Sequence, residues 1–255
     1  MTHQPLCNKL DVYQPEVIAN AAKETVAIRF NVAGLVTAEI GEDWQDQFRV
    51  VMNEAGETEI RMGDGHYTNR EADPDATFEL KSIPGHKLAQ AVPGLWGLYQ
   101  GVFKQMMQLA LPVDVEPLRA YDEPEYGLEC LSQRPTLPSD NTLNRMENHV
   151  DMRYTSILVV AAPASNTEGR LVIANNPNAQ SVEEVLQDPI FISHRAGTVL
   201  CFSRGDVYPH FTEEMTTPGS ERLVVSLNYP KASEAPGAAE ELLDYRTSDD
   251  TGGRR

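Results

Sequence analysis

Three side chains with metal-ligand chemistry stand out in the sequence. His149 and Asp151 are separated only by Val150, and His210 follows 59 residues beyond Asp151. Alternate side chains of an extended strand share a face, so His149 and Asp151 can meet one ion without contortion. Two imidazoles and one carboxylate gathered on one side of a divalent transition metal leave its other side open. Arg222 lies twelve residues after His210 and opens the apolar run Leu223-Val224-Val225, with Ser226 four residues on and on the same face. An arginine turned into an apolar interior needs an anion beside it. Its planar fork matches a carboxylate at two points. The pattern describes a metal centre next to a carboxylate clamp.

Each residue also has an ordinary explanation. Either histidine alone fits a satisfied sheet residue, Asp151 fits a turn, and Arg222 fits a surface ion pair of little worth. Joint spacing is what lifts them above these readings. His194 and Arg195 precede Gly197 and read as turn residues, while His66 and His86 lie outside the β-rich tract and read as structural or exposed. Cys201, in mid-strand, reads as a core residue.

The elements that must bring these groups together are mostly strands. Tyr154 to Ala162, Arg170 to Ala174, Ile190 to Ser193, Thr198 to Phe202, Val207 to Thr212 and Glu221 to Tyr229 are short apolar runs between turn residues. Ser181 followed by Glu184 predicts the capped start of a short helix. Leu118 to Tyr121 is a further strand candidate, and residues 122–141 read as a polar, proline-rich connection. Upstream, Val26 to Val32 predicts a strand, and Pro15 to Lys23 a short helix. The steps Ile40, Trp44, Phe48, Val51 predict a helix packed on a sheet. Pro93 to Ala110 predicts another, with Leu95, Leu98, Val102, Met106 and Leu109 as its buried stripe and Pro93 in its first turn. Residues 53–76 form a polar loop or hairpin with Gly63-Asp64-Gly65 as the turn. That loop carries His66, Tyr67 and Arg70 and is a candidate substrate lid. Residues 231–255 read as a frayed tail.

His149-x-Asp151, His210, Arg222 with Ser226 and the β-rich tract between them resemble the Fe(II)/2-oxoglutarate-dependent dioxygenase superfamily. The similarity covers roughly residues 118–230. It implies an α+β, mainly β fold: a double-stranded β-helix, jelly-roll and cupin-like, with supporting N-terminal helices. The expected organisation is one domain over 1–255, made of a helical or mixed support region (1–117), the jelly-roll core (118–230) and a C-terminal tail (231–255). Fe(II) would be held by His149, Asp151 and His210, with 2-oxoglutarate chelating it and Arg222 pairing the far carboxylate. In that family O2 converts the cosubstrate to succinate while a C–H bond of a second substrate is oxidised, most often to a hydroxyl. Related halogenases carry a small residue in place of the carboxylate ligand; Asp151 stands there, which disfavours halogenation. The Arg-x-Ser pattern common in the family is not kept, because the serine stands at +4, as Ser226. That weakens the serine's expected role more than the arginine's.

Composition narrows the rest. Of 255 residues, 38 are acidic and 21 are Lys or Arg, so the net charge is −17 and no basic patch suggests nucleic acid. Three widely spaced cysteines (Cys7, Cys130, Cys201) suggest neither a disulfide framework nor a zinc site and fit a reducing cytoplasm. No apolar run reaches the roughly 18 residues of a membrane span. The start shows no signal-peptide pattern. A homo-oligomer is compatible with the sequence. Arg145, Glu147, Asn148, Arg153 and Tyr154 flank the metal motif, with Arg119, Tyr121 and Arg134 as further polar groups. Mixed charges of this kind suit a small zwitterion such as a free amino acid. Two alternatives remain at this level: another cupin-like metalloenzyme such as a zinc hydrolase, since zinc accepts the same ligands, and a non-enzymatic barrel that binds a small acid through Arg222.

Overall fold

A computed structural model describes residues 10–62, 77–133, 154–179, 181–203 and 207–234. Its strands, in chain order, are β1 (Glu16–Ala19), β2 (Thr25–Asn31), β3 (Glu57–Met62), β4 (Thr77–Pro84), β5 (Leu128–Gln133), β6 (Tyr154–Ala161), β7 (Leu171–Ala174), β8 (Pro189–Ile192), β9 (Thr198–Phe202), β10 (His210–Thr212) and β11 (Arg222–Tyr229). Eight of them form one sheet in the order β1-β2-β9-β6-β11-β5-β4-β3, and three form a second in the order β10-β7-β8. From β6 onward the chain passes between the sheets: β6 in the large one, β7 and β8 in the small, β9 in the large, β10 in the small, β11 in the large. That winding is a double-stranded β-helix, the expected fold class.

Period-two alternation decides which side chains line the barrel. On β11, Leu223, Val225, Leu227 and Tyr229 pack outward with the helices, whereas Val224 packs inward with Leu131 and Val159. Between the sheets Leu200, Phe202, Leu171, Ile173, Ile192 and Tyr208 form a second apolar cluster. The helices cover the outer face of the large sheet: α1 (Ala33–Ile40), α2 (Trp44–Ala55), α3 (Gly85–Ala91), α4 (Pro93–Leu98) and α5 (Lys104–Ala110). Val36, Trp44, Phe48, Leu88, Leu95 and Met106 lie in one core with Phe30, Leu158 and Val199 of the strands. Cys130 and Cys201 are buried free thiols, and burial pushes both thiol pKa values up, so both are inert core residues.

Several sequence expectations need correction. Pro15 to Lys23 is not helical. Glu16–Ala19 pairs antiparallel with β2, and the intervening turn is held by Asn20, whose side-chain Oδ1 accepts from Glu24 N at 2.8 Å. A β-sheet partner overrides a weak local helical preference. The helix read through Ile40 and Val51 is two helices, broken where Gly41 adopts φ 133°. The stretch read as a connection over 122–141 contains β5, which pairs with both β4 and β11; its alternation was masked by the polar Glu129, Ser132 and Gln133. A short helix, α6 (Pro124–Gly127), leads into it. Leu118 makes only an isolated bridge to Lys231.

The long helix runs as expected from Pro93 but contains a π turn, Tyr99–Phe103, between α4 and α5. The extra residue of a π turn shifts the buried stripe, so Phe103 is fully buried while Val102 is only partly so. The turn also seats Tyr99 between Trp96 and Tyr229, each ring 4.8 Å away, with its hydroxyl donating to Asn228 O at 2.6 Å. Of the loop or hairpin expected over 53–76, residues 53–55 end α2 and Glu57–Met62 forms β3, which pairs with β4 beyond the expected range; His66, Tyr67 and Arg70 lie outside the described residues, as does the chain after Glu234. The Ser181 cap is as expected: its hydroxyl accepts from Glu184 N at the start of α7 (Val182–Val185).

Gly197 must be a glycine. Gly197 (φ 75°) precedes β9, donates to Val159 O and accepts from Val32 N; a Cβ there would sit 2.8 Å from Ala33 Cβ. Gly197→Ala is expected to cost about 1–3 kcal/mol from the left-handed backbone and the clash, read as a lowered melting temperature.

Candidate functional site

Arg222 enters the barrel at an irregular point. Between β11 and β6, Leu223 pairs with Ala161 and Val224 with Val159, leaving Val160 as the extra residue of a bulge. A bulge re-aims the side chains beside it. Gln45 of α2 donates to Val160 O at 2.7 Å, an anchor for the bulge from outside the sheet.

The Arg222 side chain is 2% exposed, and its Nε donates to His194 Nε2 at 3.0 Å. Among the described residues no carboxylate pairs with it. Burial lowers its pKa to about 10, so it remains a cation at neutral pH. His194 is buried as well. Desolvation, then the nearby charges of Arg222 and Arg29, hold its pKa well below 6.5, so the imidazole is neutral with the proton on Nδ1. Sequence reading placed His194 at a turn and missed this contact. The signal was the continued alternation Ile190, Ile192, His194: both isoleucines pack between the sheets, and His194 keeps their side.

His210 begins β10 and is 3% exposed. Its ring stacks on Phe202, centroids 5.4 Å apart and 16° from parallel. Its Nδ1 lies 3.0 Å from Tyr208 O. A carbonyl can only accept, so Nδ1 carries a proton and donates it to Tyr208 O. A backbone carbonyl bonded to Nδ1 fixes the orientation of the ring. Cys201, next to Phe202 in β9, pairs with Ser156, which pairs with Leu227 near the far end of β11. His210 and Arg222 therefore stand at opposite ends of the barrel interior.

Ser226 shares Arg222's face but lies about 13 Å further along the strand. The two can address opposite ends of an extended ligand, not one carboxylate. His149 and Asp151 lie outside the described residues, as do Arg134, Arg145, Glu147, Asn148 and Arg153. Among the described residues no three His, Cys, Asp or Glu side chains cluster in a way that could hold a metal. Tyr121 is a core residue, 5% exposed. His86 is exposed and bonded to Glu125, as its reading as a structural or exposed residue implied.

No protein-family model matches the sequence, and no curated protein matches it. Solved structures do. The chain is similar to the non-heme alpha-ketoglutarate-dependent carbocyclase SnoK of nogalamycin biosynthesis at 16% identity, over 86% of this chain and 85% of that one, with a TM-score of 0.52. It is similar to the epimerase SnoN of the same biosynthesis at 13% identity, over 84% and 82%, with a TM-score of 0.51. A 2OG-Fe(II) oxygenase family oxidoreductase from Burkholderia pseudomallei aligns at 10% identity over 92% and 95%, TM-score 0.51. The fold is thus the double-stranded β-helix of the Fe(II)/2-oxoglutarate-dependent oxygenases, which the sequence resembles. One structure of SnoN holds Fe3+, alpha-ketoglutarate and nogalamycin RO. No helix among the described residues is long and apolar enough to cross a membrane.

Proposed function

We propose that this chain is an Fe(II)/2-oxoglutarate-dependent oxygenase that oxidises a C–H bond of a small polar metabolite, typically to a hydroxyl. The observation that carries the reading is Arg222: a fully buried cation inside the barrel whose bonded partner at 3.0 Å is a neutral imidazole. A charge in that position calls for an anion, and the far carboxylate of 2-oxoglutarate is the anion this fold's enzymes bring. Metal binding falls to His210, its ring oriented by the Tyr208 carbonyl, with His149 and Asp151. Chain connectivity supports their convergence, because β6 starts three residues after Asp151 at the His210 end of the barrel. Bound Fe(II) supplies O2 activation coupled to decarboxylation of the cosubstrate to succinate. The protein's own residues orient the cosubstrate through Arg222, hold the His210 ring against Phe202, and line the space between with Val224, Val159 and Leu131, which exclude water.

The substrate reading is a free amino acid or a small natural-product intermediate. Arg119 supports an acidic group on it. Its backbone N donates to Pro230 O just beyond the end of β11, away from Arg222, and its Nε and Nη2 are buried without a hydrogen-bond partner. Two guanidinium nitrogens left unsatisfied in this way are a natural contact for a substrate carboxylate. Arg119→Gln is expected to raise the substrate KM about tenfold or more, the worth of one charge-assisted contact, with the 2-oxoglutarate KM unchanged.

Succinate formation across a panel of free amino acids tests the whole reading, with His149→Ala and Asp151→Ala as controls. Stimulation by a panel member, lost in both variants, supports it. A panel without effect removes the amino-acid class and leaves the natural-product intermediates.

A further inference from the structure

We propose that His194 is a positioning residue for Arg222: it occupies one edge of the guanidinium and so fixes the end-on face that Arg222 presents to an anionic ligand. The proposal rests on the reading above that Arg222 takes the far carboxylate of 2-oxoglutarate.

A guanidinium has two edges able to hold a carboxylate at two points, one through Nε and an Nη, the other through both Nη atoms. His194 Nε2 accepts the Nε hydrogen at 3.0 Å. The side-on edge is closed, and Nη1 with Nη2 remain as the fork. A carboxylate in the place of His194 would hold the same geometry but neutralise Arg222 and compete with the ligand. An imidazole kept neutral by burial orients the cation and leaves its charge uncompensated.

The backbone that carries the imidazole is pinned on both sides of it. Ser193 O accepts from Arg29 Nη2 at 2.7 Å, and Arg195 O accepts from Thr198 Oγ1 at the same distance. Arg29 is 5% exposed and is held in turn by Glu16 Oε2 at 2.9 Å, which also binds Arg195 Nη1 at 2.8 Å. The short connection from β8 to β9 is thereby clamped from β1, β2 and β9. A pinned acceptor is what a two-point contact needs, since orientation rather than added energy is its contribution.

Three variants test this with 2-oxoglutarate binding to the Mn(II)-loaded protein, the two KM values and the melting temperature as readouts. His194→Gln keeps a neutral acceptor near the Nε2 position and is expected to bind 2-oxoglutarate within about threefold of the parent. His194→Leu loses the acceptor and is expected to weaken binding about tenfold, the effect of one hydrogen bond. His194→Asp pairs with Arg222 and is expected to weaken it by about 100-fold, the loss of a charge pair. The KM of the second substrate stays unchanged throughout. If Leu and Asp bind 2-oxoglutarate as the parent does, or if all three variants lose both KM values and melting temperature in parallel, His194 has no positioning role. A parent protein that binds no 2-oxoglutarate overturns the reading of Arg222 first, and this proposal with it.

Discussion

Arg222→Met is expected to weaken 2-oxoglutarate binding by ~30-fold or more while leaving the protein without ligand about as stable as the parent. The two halves follow from one fact, the burial of an uncompensated cation. A buried charge pays several kcal/mol of desolvation, and Arg222 recovers little of this from a neutral His194. Methionine of similar length fills the space without that penalty. It also strands the His194 acceptor, at about 1–3 kcal/mol. The two terms oppose each other, so the melting temperature should stay within about 4 °C of the parent, which for a chain of this size is ~1–2 kcal/mol. Binding has no such compensation. Truncating one partner of a buried, hydrogen-bonded charge pair costs about 2–5 kcal/mol, which places the 2-oxoglutarate affinity at least ~30-fold and up to several thousand-fold below that of the parent. Calorimetric or fluorescence titration with 2-oxoglutarate, beside thermal melts without it, reads both. A variant that melts far lower yet binds 2-oxoglutarate normally makes Arg222 a structural residue. Arg222→Lys should not rescue binding, because a point charge lacks the planar fork.

His210→Ala carries the second large effect. The parent is expected to gain thermal stability when Fe(II) or Mn(II) is added, because a metal that binds only the folded chain stabilises it by mass action. The variant should lose that gain and, with it, succinate formation. Changes to residues that merely support a metal ligand typically cost 10–100-fold, so removing a ligand should cost more than about 100-fold in affinity. His210 also packs: it is 3% exposed and stacked on Phe202. The metal-free variant should therefore melt lower by about 1–3 kcal/mol of lost packing. The decisive readout is the metal-dependent increment, which packing alone does not produce. A variant that keeps the parent's increment removes His210 from the metal centre.

The β-rich half of the molecule was legible because its strands are short, apolar and separated by Gly, Pro and Asn. All six runs from Tyr154 to Tyr229 became strands within a few residues of their expected limits. Arg222 was legible as a buried cation because a guanidinium ahead of Leu223-Val224-Val225 has no inexpensive place except beside an anion. β5 was not legible. It is a central strand buried on both faces, yet Glu129, Ser132 and Gln133 give it the composition of a loop. The β1 hairpin was lost for the opposite reason, since Glu16-Val17-Ile18-Ala19 has no local turn residue stronger than Asn20 and takes its conformation from β2. His194 was missed because proximity to Gly197 outweighed the alternation it continued. Ser226 stands on the expected face, and its four-residue spacing already set it apart from Arg222; what the sequence did not reveal is that this displacement runs toward the His210 end.

The central claim is that two histidines and an aspartate gather on one metal with Arg222 at the far end of a bound oxo-acid. Anaerobic titration of the protein with Fe(II), then 2-oxoglutarate, tests it most directly. The account predicts a visible metal-to-ligand charge-transfer band that appears only when both are present, vanishes in His210→Ala, and requires much higher 2-oxoglutarate in Arg222→Met. Tight zinc binding with no such band, or a band indifferent to both substitutions, would contradict it.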